Sequence, residues 1–380
     1  MTDERSSRPR AAGGLSVLLL LATSGGGVAR HVRGLAASLA AAGHDVTIGG
    51  PAQTEVEFAF TGVGATFVAV ETSDRPQPLK DLAAARAVRE LARHVDVVHA
   101  HGLRAGGLAA LALRRSRVPL AVTLHNALLA GGLRGRPVAA AYGVLERLVA
   151  RRASVVLGVS EDLEGRMRRL GARDVRHGVV PAPDAGHVRQ DPSAVRAALG
   201  VGDRHLVVCV ARLAEQKGLP LLLDAADVLR ARGGVLVVVA GDGPLRGRLT
   251  SRIHSEGLPV RLLGWRDDVP DLLAAADVVV SSAVWEGQPI AVQQALHAGA
   301  ALVATDVGGT RAATGDAAVL VPYGDAQRLA TEVRRLLDDP AERGRLQAAS
   351  RERAAALPTA DDACTAAVSL YRDMLRGASC

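Results

Sequence analysis

Two basic side chains flank a loop in the second half of the chain, within the segment VARLAEQKG (210–218). Arg212 directly follows an apolar run, and Lys217 directly precedes a helical pattern. Amides at a helix N-terminus favour anions, and an added guanidinium and ammonium make a cradle suited to a diphosphate. Lysine occurs elsewhere only at Lys80, which indicates that arginine would not serve at 217. We expect both side chains on an exposed loop, with a solvated basic loop as the alternative.

The carboxylate best placed for chemistry is Glu286, in the segment SAVWEGQPIAVQQALHAG (282–299). It follows an apolar run with Gly287, and Pro289 opens a helical pattern. Gln294 lies eight residues after Glu286, about a turn and a half inside that helix. One extended ligand could therefore touch both side chains, although a plain strand–loop–helix unit would look the same.

Two glycine-rich turns follow apolar runs. Gly25, Gly26 and Gly27 come after the first run and open a helix, and AGDGP contains Gly241 and Gly243. Glycine lets the backbone approach a ligand closely, and a helix N-terminus favours an anionic group. The first turn is not GxGxxG and no acid follows the second strand, so a dinucleotide site is disfavoured. Ordinary tight turns are the alternative for both.

Three histidines follow or end neighbouring apolar runs: His99 and His101 in DVVHAHG, and His125 in TLHN. A lone histidine at such a place is usually structural, but three at successive strand ends favour a site. None has the HExxH spacing of a zinc site, and no metal is predicted.

Short apolar runs alternate with helical patterns along the whole chain, which predicts parallel strands in βαβ units. The pattern restarts after a proline-rich segment at 179–193, the best linker. The prediction is two doubly wound, Rossmann-like α/β domains facing across a cleft, at 1–185 and 186–360. A final helix at about 361–380 can pack back on the first domain. Ligands bind such sheets at the carboxyl ends of their strands.

Composition limits the class of protein. Hydrophobic residues are 48% and aromatic residues 2%, which excludes a disordered chain and argues against aromatic platforms for bases or sugars. The net charge is +7 and almost all basic residues are arginine, so the excess is partly compositional. Three scattered cysteines indicate a reducing compartment. The run at 15–22 is predicted as a buried strand, with a signal peptide as the alternative.

The sequence resembles a retaining glycosyltransferase of family 4, with the GT-B fold. The resemblance rests on five motifs that occur in this order: the Gly-rich turn, A-R-L-x-x-x-K-G, A-G-D-G-P, E-G-x-P and D-V-G-G. The resemblance covers most of the chain. It implies that a nucleotide-diphosphate sugar, UDP- or GDP-linked, binds mainly to the second domain as donor substrate. No other cofactor and no metal is implied. The acceptor is expected on the first domain.

The resemblance also implies roles for single residues. Arg212 and Lys217 would hold the diphosphate, Glu286 would lie beside the donor sugar, and the position of Gln294 would contact the ribose hydroxyls. His125 would lie near the reactive face of the sugar. The expected catalytic residues are Glu286, His125, Arg212 and Lys217. The expected donor-binding residues are Arg212, Lys217, Gly241, Gly243, Glu286, Gly287 and Gln294, and the phosphate and acceptor loop is Gly25, Gly26 and Gly27.

The chain departs from the family pattern at two functional positions. Gln294 replaces the second glutamate of the E-x7-E motif, and Ala312 stands where a glutamate often follows the G-G turn. The amide oxygen of Gln294 can still accept one hydrogen bond from a ribose hydroxyl. We therefore expect binding of the donor to be weaker by about 1 kcal/mol than with glutamate at this position. A catalytically degenerate GT-B protein that binds a nucleotide sugar or a partner without turnover is therefore the main alternative. A nucleotide-sugar epimerase and a nucleic-acid binder are less favoured.

Arginine clusters at 147–152 and 166–173 suit either a solvated helix face or peripheral contact with an anionic membrane. The solvated face is favoured. The expected location is cytoplasmic, with peripheral contact at the inner face of the membrane as the alternative, and the expected setting is cell-envelope glycan synthesis.

Overall fold

A computed structural model describes residues 13–22, 26–72, 77–126, 136–181 and 186–378. Contacts divide the chain into two compact units, Met1–Pro183 with Pro358–Cys380, and Asp184–Leu357. Within the described ranges, each unit contains one sheet of parallel strands with helices between them. The predicted architecture of two parallel-sheet α/β domains is confirmed.

The sheet of the first unit has seven described strands in the order β3-β2-β1-β4-β5-β6-β7. Its strands are β1 (Ser16–Leu21), β2 (Asp45–Gly50), β3 (Thr66–Ala69), β4 (Val97–His101), β5 (Leu120–Leu124), β6 (Val155–Gly158) and β7 (Val175–His177). Its helices are α1 (Gly27–Ala41), α2 (Ala52–Phe58), α3 (Pro78–Leu91), α4 (Leu103–Ala112), α5 (Arg136–Arg152) and α6 (Glu161–Arg169). All six residues of β1 are buried, and β1 pairs with β2 and β4. The apolar run at 15–22 is thus a central strand, as the sequence predicts.

The sheet of the second unit has six described strands in the order β10-β9-β8-β11-β12-β13. Its strands are β8 (His205–Val210), β9 (Val235–Ala240), β10 (Val260–Gly264), β11 (Val278–Ser281), β12 (Leu302–Thr305) and β13 (Val319–Val321). Its helices are α7 (Pro192–Ala198), α8 (Leu219–Arg230), α9 (Arg246–Glu256), α10 (Val269–Ala275), α11 (Ile290–His297), α12 (Thr310–Thr314), α13 (Ala326–Asp338) and α14 (Pro340–Ala355). Apolar side chains cover both faces of this sheet. Sheets of this kind bind ligands at the loops that follow the carboxyl ends of their strands.

The last helix, α15 (Ala360–Ala378), belongs to the first unit although it follows the second in sequence. Its Tyr371 is fully buried in the core that contains β1 and α1. Cys364 lies in the same core and Cys209 is buried in the second unit; both are free thiols. Among the described helices, none is long and apolar enough to cross a membrane.

One strand was not predicted. The segment Val175–His177 has only three residues, a half-buried valine followed by an exposed arginine and an exposed histidine. It pairs with β6 at the edge of the sheet, where polar side chains can face solvent. Hydrophobic periodicity carries no signal for so short an edge strand.

Candidate active site

Lys217 and Glu286 form an ion pair at the carboxyl edge of the second sheet. Lys217 ends the short 3₁₀ turn Glu215–Lys217 between β8 and α8, and Glu286 lies in the loop after β11. The Lys217 Nζ lies 2.5 Å from Glu286 Oε1. Because β8 and β11 are neighbours, residues 69 apart in sequence meet here. The structure thus brings together two residues that sequence analysis placed in one site.

Glu286 is a buried carboxylate. Its side chain is 8% exposed, whereas that of Lys217 is 26% exposed. Burial raises the pKa of Glu286, and the charge and hydrogen bond of Lys217 partly oppose that rise. The expectation that Lys217 lies on an exposed loop is therefore wrong, because its ammonium turns inward to pair with the buried acid.

Backbone contacts fix the loops that carry this pair. The amide of Val284 donates to the carbonyl of Gln216 at 2.9 Å, and the Ser282 hydroxyl donates to the carbonyl of Lys217 at 3.1 Å. Gly218 has a φ of 58°, and a Cβ there would lie 2.0 Å from the carbonyl oxygen of Ser282. Only glycine allows the loops to approach this closely. The ion pair is thus held between two rigid loops.

The DVGG turn closes the other side of Glu286. Gly309 donates its amide to the carbonyl of Glu286 at 2.9 Å, and a Cβ on Gly308 would lie 1.9 Å from that same oxygen. The glycines of the turn are therefore needed for packing against the Glu286 loop. Ala312 follows in α12, whose carbonyl groups at 312 and 313 accept hydrogen bonds from Arg353.

Arg212 and the AGDGP turn form a second part of the site. Gly241 and Gly243 pack against the loop that carries Arg212: added Cβ atoms would lie 2.1 Å from the carbonyl oxygen of Ala211 and 2.6 Å from that of Leu213. Arg212 itself is exposed, and within the described ranges its guanidinium has no hydrogen-bond or ion-pair partner. An exposed guanidinium on a loop that packs against two glycines is chemically suited to binding an anion.

Gly287 is buried directly after Glu286, and Gln294 is half-buried in α11. Two other amides of this segment stand out. Gln288 and Gln293 each have a buried Oε1 with no hydrogen-bond partner in the described part of the chain. Buried amide oxygens normally accept a hydrogen bond. The loop and helix after Glu286 thus contain unused acceptors as well as the two residues predicted from sequence.

The first unit contains a cluster of imidazoles. His99 and His101 end β4, and His125 directly follows β5. His101 Nδ1 lies 3.2 Å from His125 Nε2, and the His99 and His101 ring centroids are 4.2 Å apart. His31 of α1 joins them, with ring centroids 5.4 Å from both His101 and His125. The sequence predicted the strand-end histidines but missed His31, which lies one helical turn after the Gly-rich loop.

These histidines are neutral near pH 7. Burial lowers the pKa of His31 to about 4 and that of His99 to about 3. Burial and the neighbouring imidazoles hold the pKa values of His101 and His125 well below their usual range. Each ring therefore offers one N–H and one lone pair rather than a positive charge.

Hydrogen bonds from α15 and β5 fix His99. Its Nδ1 lies 2.7 Å from the Tyr371 hydroxyl and its Nε2 lies 2.7 Å from Thr123 Oγ1. Tyr371 was not predicted, since a single tyrosine in an amphipathic helix gives no sequence signal of this contact. The final helix therefore supports the strand-end histidines.

Gly26 and Gly27 lie at the start of α1, and Gly25 lies outside the described residues. Gly26 has a φ of 84°, the left-handed region that favours glycine. It is the N-cap position of α1, and the cap carries no side-chain hydrogen bond.

Trp265 is a further candidate that sequence analysis missed. It directly follows β10, its exposed fraction is 73%, and the preceding Gly264 pairs with Gly241 of the AGDGP turn. An exposed indole beside the glycine-rich AGDGP turn is suited to stacking on a flat ring of a ligand. The scarcity of aromatic residues could have drawn attention to it, since the chain has only two tryptophans.

Two family profiles match the chain. The profile described as "Glycosyl transferase 4-like domain" matches residues 26–183, and "Glycosyl transferases group 1" matches residues 204–339. Each profile falls within one unit and includes the strand-end residues described above for that unit, apart from Gly25 of the first.

Curated relatives and solved structures agree with these profiles. The chain is 32% identical over 305 residues to alpha-D-kanosaminyltransferase of Streptomyces kanamyceticus, covering 73% of this chain and 77% of that protein. It is 31% identical over 307 residues to D-inositol 3-phosphate glycosyltransferase of Rhodococcus opacus (strain B4), covering 73% and 68%. The crystal structure of Anabaena Alr3699/HepE in complex with UDP-glucose superposes with a TM-score of 0.79 at 21% identity, over 94% of this chain and 100% of that one. The fold is therefore GT-B, and the chain belongs to glycosyltransferase family 4, whose members use nucleotide sugars as donors.

Proposed function

We propose that the chain transfers a sugar, with retained anomeric configuration, from a nucleotide-diphosphate sugar to an acceptor hydroxyl. The observation that carries this proposal is the Lys217–Glu286 ion pair, set between rigid glycine-dependent loops at the carboxyl edge of the second sheet. Both residues stand at positions of the family motif. Exposed Arg212 supplies a second cation in the same unit.

The difficult step is departure of the nucleoside diphosphate, on which negative charge develops. Fixed cations aimed at that charge stabilise the transition state, above all where water is excluded. Arg212 and Lys217 would supply this stabilisation without a metal. The acceptor hydroxyl would attack the front face of the sugar and pass its proton to the leaving phosphate.

Glu286 would position both the sugar and Lys217. A buried carboxylate holds the ammonium in one place before the donor arrives, which lowers the cost of ordering a flexible side chain on binding. Once the diphosphate is bound, the ammonium can lie between the carboxylate and the phosphate oxygens. The acid can then accept hydrogen bonds from sugar hydroxyls, as the resemblance implies.

Gln294, Gly287, Gly241 and Gly243 would complete the donor site. Gln294 would accept from a ribose hydroxyl, and the glycines would let the backbone approach the donor. Trp265 would stack on the nucleotide base, since it follows the strand next to the AGDGP turn. UDP- and GDP-linked sugars are the first donors to test.

The first unit would supply the acceptor side, through His125 and the Gly25–Gly27 loop. A cytoplasmic location fits the buried free thiols. Peripheral contact with a membrane has less support, since two arginines of the second cluster are already paired: Arg166 with Glu146 and Arg168 with Glu164.

A thermal-shift screen against UDP-, GDP-, ADP- and dTDP-sugars, without added metal, tests the proposal. A ligand present at about 100 times its Kd stabilises the folded state by about 2.7 kcal/mol. A clear rise in Tm with one donor, followed by nucleotide release in a hydrolysis assay, would support it. A rise without nucleotide release would favour the degenerate alternative, and no rise with any donor would contradict the proposed site. Flotation with anionic vesicles at low salt tests membrane contact separately.

A further inference from the structure

Three imidazoles from three different elements converge in the first unit. Taking one ring nitrogen from each, the ligand atoms of His31, His101 and His125 all lie within 4.8 Å of one another. They come from α1, the end of β4 and the residue after β5. Because these elements belong to one unit and one sheet edge, the convergence is part of the fold of that unit.

The spacing is close to that of a metal site. His101 Nδ1 and His125 Nε2 are 3.2 Å apart. Zinc–nitrogen bonds of about 2.0–2.1 Å place the ligand nitrogens of a tetrahedral site about 3.3 Å apart. Two ligands are thus at the required separation, and the ligand atom of His31 lies within 4.8 Å of both.

Hydrogen bonding within the described residues leaves one nitrogen of His101 unused, the one that does not face His125. His101 Nε2 is buried and has no hydrogen-bond partner in the described part of the chain, and a buried imidazole nitrogen normally has one. The neighbouring His99 differs, since both of its nitrogens are engaged, by Tyr371 and Thr123. His99 is therefore a structural support, and the other three rings are the candidate ligands.

The donor set selects the class of cation. Three imidazoles suit zinc and other late transition metals, whereas magnesium and calcium prefer oxygen ligands. His31 is half-buried, and a cavity of ≈ 230 Å³ is lined by His31 and His99.

We propose that His31, His101 and His125 form a zinc site with an open fourth position, and that zinc bound there inhibits sugar transfer. The binding part rests on the geometry of the three imidazoles alone. The inhibition part rests on the proposed function, because zinc would occupy the lone pair of His125, which that function places at the sugar.

The test uses the full-length protein without a polyhistidine tag, treated with a chelator and titrated with zinc chloride at pH 7.5 by calorimetry. Cobalt chloride serves as a spectroscopic probe, since tetrahedral cobalt absorbs strongly in the visible range. We expect one zinc per chain and no comparable heat with magnesium chloride. Loss of an outer hydrogen-bond partner lowers metal affinity by about 10–100-fold, so His31→Ala, which removes a ligand, should lower it by about 100-fold or more.

His94→Ala is the matched control, since His94 is exposed in the same unit and lies outside the cluster. It should bind zinc like the wild type. His125→Asn is the second ligand variant if His31→Ala folds poorly. No saturable zinc binding by the wild type, or equal binding by both ligand variants and the wild type, would overturn the proposal.

Two readouts separate this proposal from the proposed function. If the protein binds a donor in the thermal-shift assay but does not bind zinc, the proposed transferase function stands and the proposed metal site is overturned. Zinc binding without inhibition of donor hydrolysis would keep the metal site and overturn its inhibitory role.

Discussion

The two units use opposite electrostatic designs at equivalent places, the carboxyl edges of their sheets. In the second unit the edge carries full charges: a buried carboxylate paired with an ammonium, and the exposed guanidinium of Arg212. In the first unit the edge carries buried, neutral imidazoles that contact one another. Charge suits a diphosphate leaving group, whereas neutral donors and acceptors suit hydroxyl groups.

The difference also concerns rigidity. The charged edge is fixed by glycines on which a Cβ would collide with backbone oxygens. The imidazole edge is fixed by side chains, above all by the Tyr371 and Thr123 hydrogen bonds to His99. We therefore expect substitutions at the charged edge to lower the rate of sugar transfer most, and substitutions at the imidazole edge to lower it less.

The largest effect is expected for Lys217→Ala. Removing one group that stabilises developing negative charge typically lowers kcat by about 100- to 1,000-fold. The change also leaves Glu286 buried without its partner. Because Lys217 keeps a 26% exposed side chain, we expect a loss of about 1–3 kcal/mol in unfolding free energy. Donor hydrolysis and urea unfolding measure the two effects.

The double variant Lys217→Ala/Glu286→Gln separates the effect of Lys217 on catalysis from its effect on stability. It removes the unpaired buried charge, so its stability should return towards that of the wild type while donor hydrolysis stays low. Recovery of activity together with stability would show that Lys217 acts only through folding, and the charged-edge comparison would fail.

A smaller effect is expected for His125→Asn. Loss of the contact that we propose between His125 and the sugar should lower kcat by about 10- to 100-fold, equivalent to about 1.4–2.7 kcal/mol in the barrier. Donor affinity by thermal shift should change little, since the diphosphate and base contacts that we propose lie in the second unit. His94→Ala is the control in the same unit. A loss as large as that of Lys217→Ala would contradict the ranking of the two edges.

The next effect is expected for Trp265→Ala, which tests whether the charged edge also holds the base. Stacking of a base on an aromatic ring contributes about 1–3 kcal/mol, so Kd for the donor should rise about 10-fold. Trp265→Phe should recover most of the affinity. Because Trp265 is exposed, the Tm of the ligand-free Trp265→Ala variant should equal that of the wild type. An unchanged Kd in the alanine variant would place the base elsewhere.

The same contrast explains what the sequence could predict. Every strand except the short edge strand Val175–His177 follows from apolar runs, and the pairing of Lys217 with Glu286 agrees with two local motifs. The inward turn of Lys217 does not follow, because it depends on a carboxylate 69 residues away. His31 and Tyr371 were missed for the same reason: their partners lie on other elements, and only the folded unit brings the rings together.

The smallest effect is expected for Gln294→Glu, which restores the charge that the family pattern has at this position. A charge-assisted hydrogen bond contributes about 1.5–3 kcal/mol and a neutral one about 0.5–1.5 kcal/mol, so donor affinity should improve several-fold. The adjacent Gln293→Glu is a matched control: its side chain is 1% exposed, so an added charge there should lower stability without improving affinity. Isothermal titration with the donor identified by thermal shift measures both. If Gln294→Glu leaves the affinity unchanged, Gln294 does not contact the ribose, and the amide at this position is a neutral replacement without a role in donor binding.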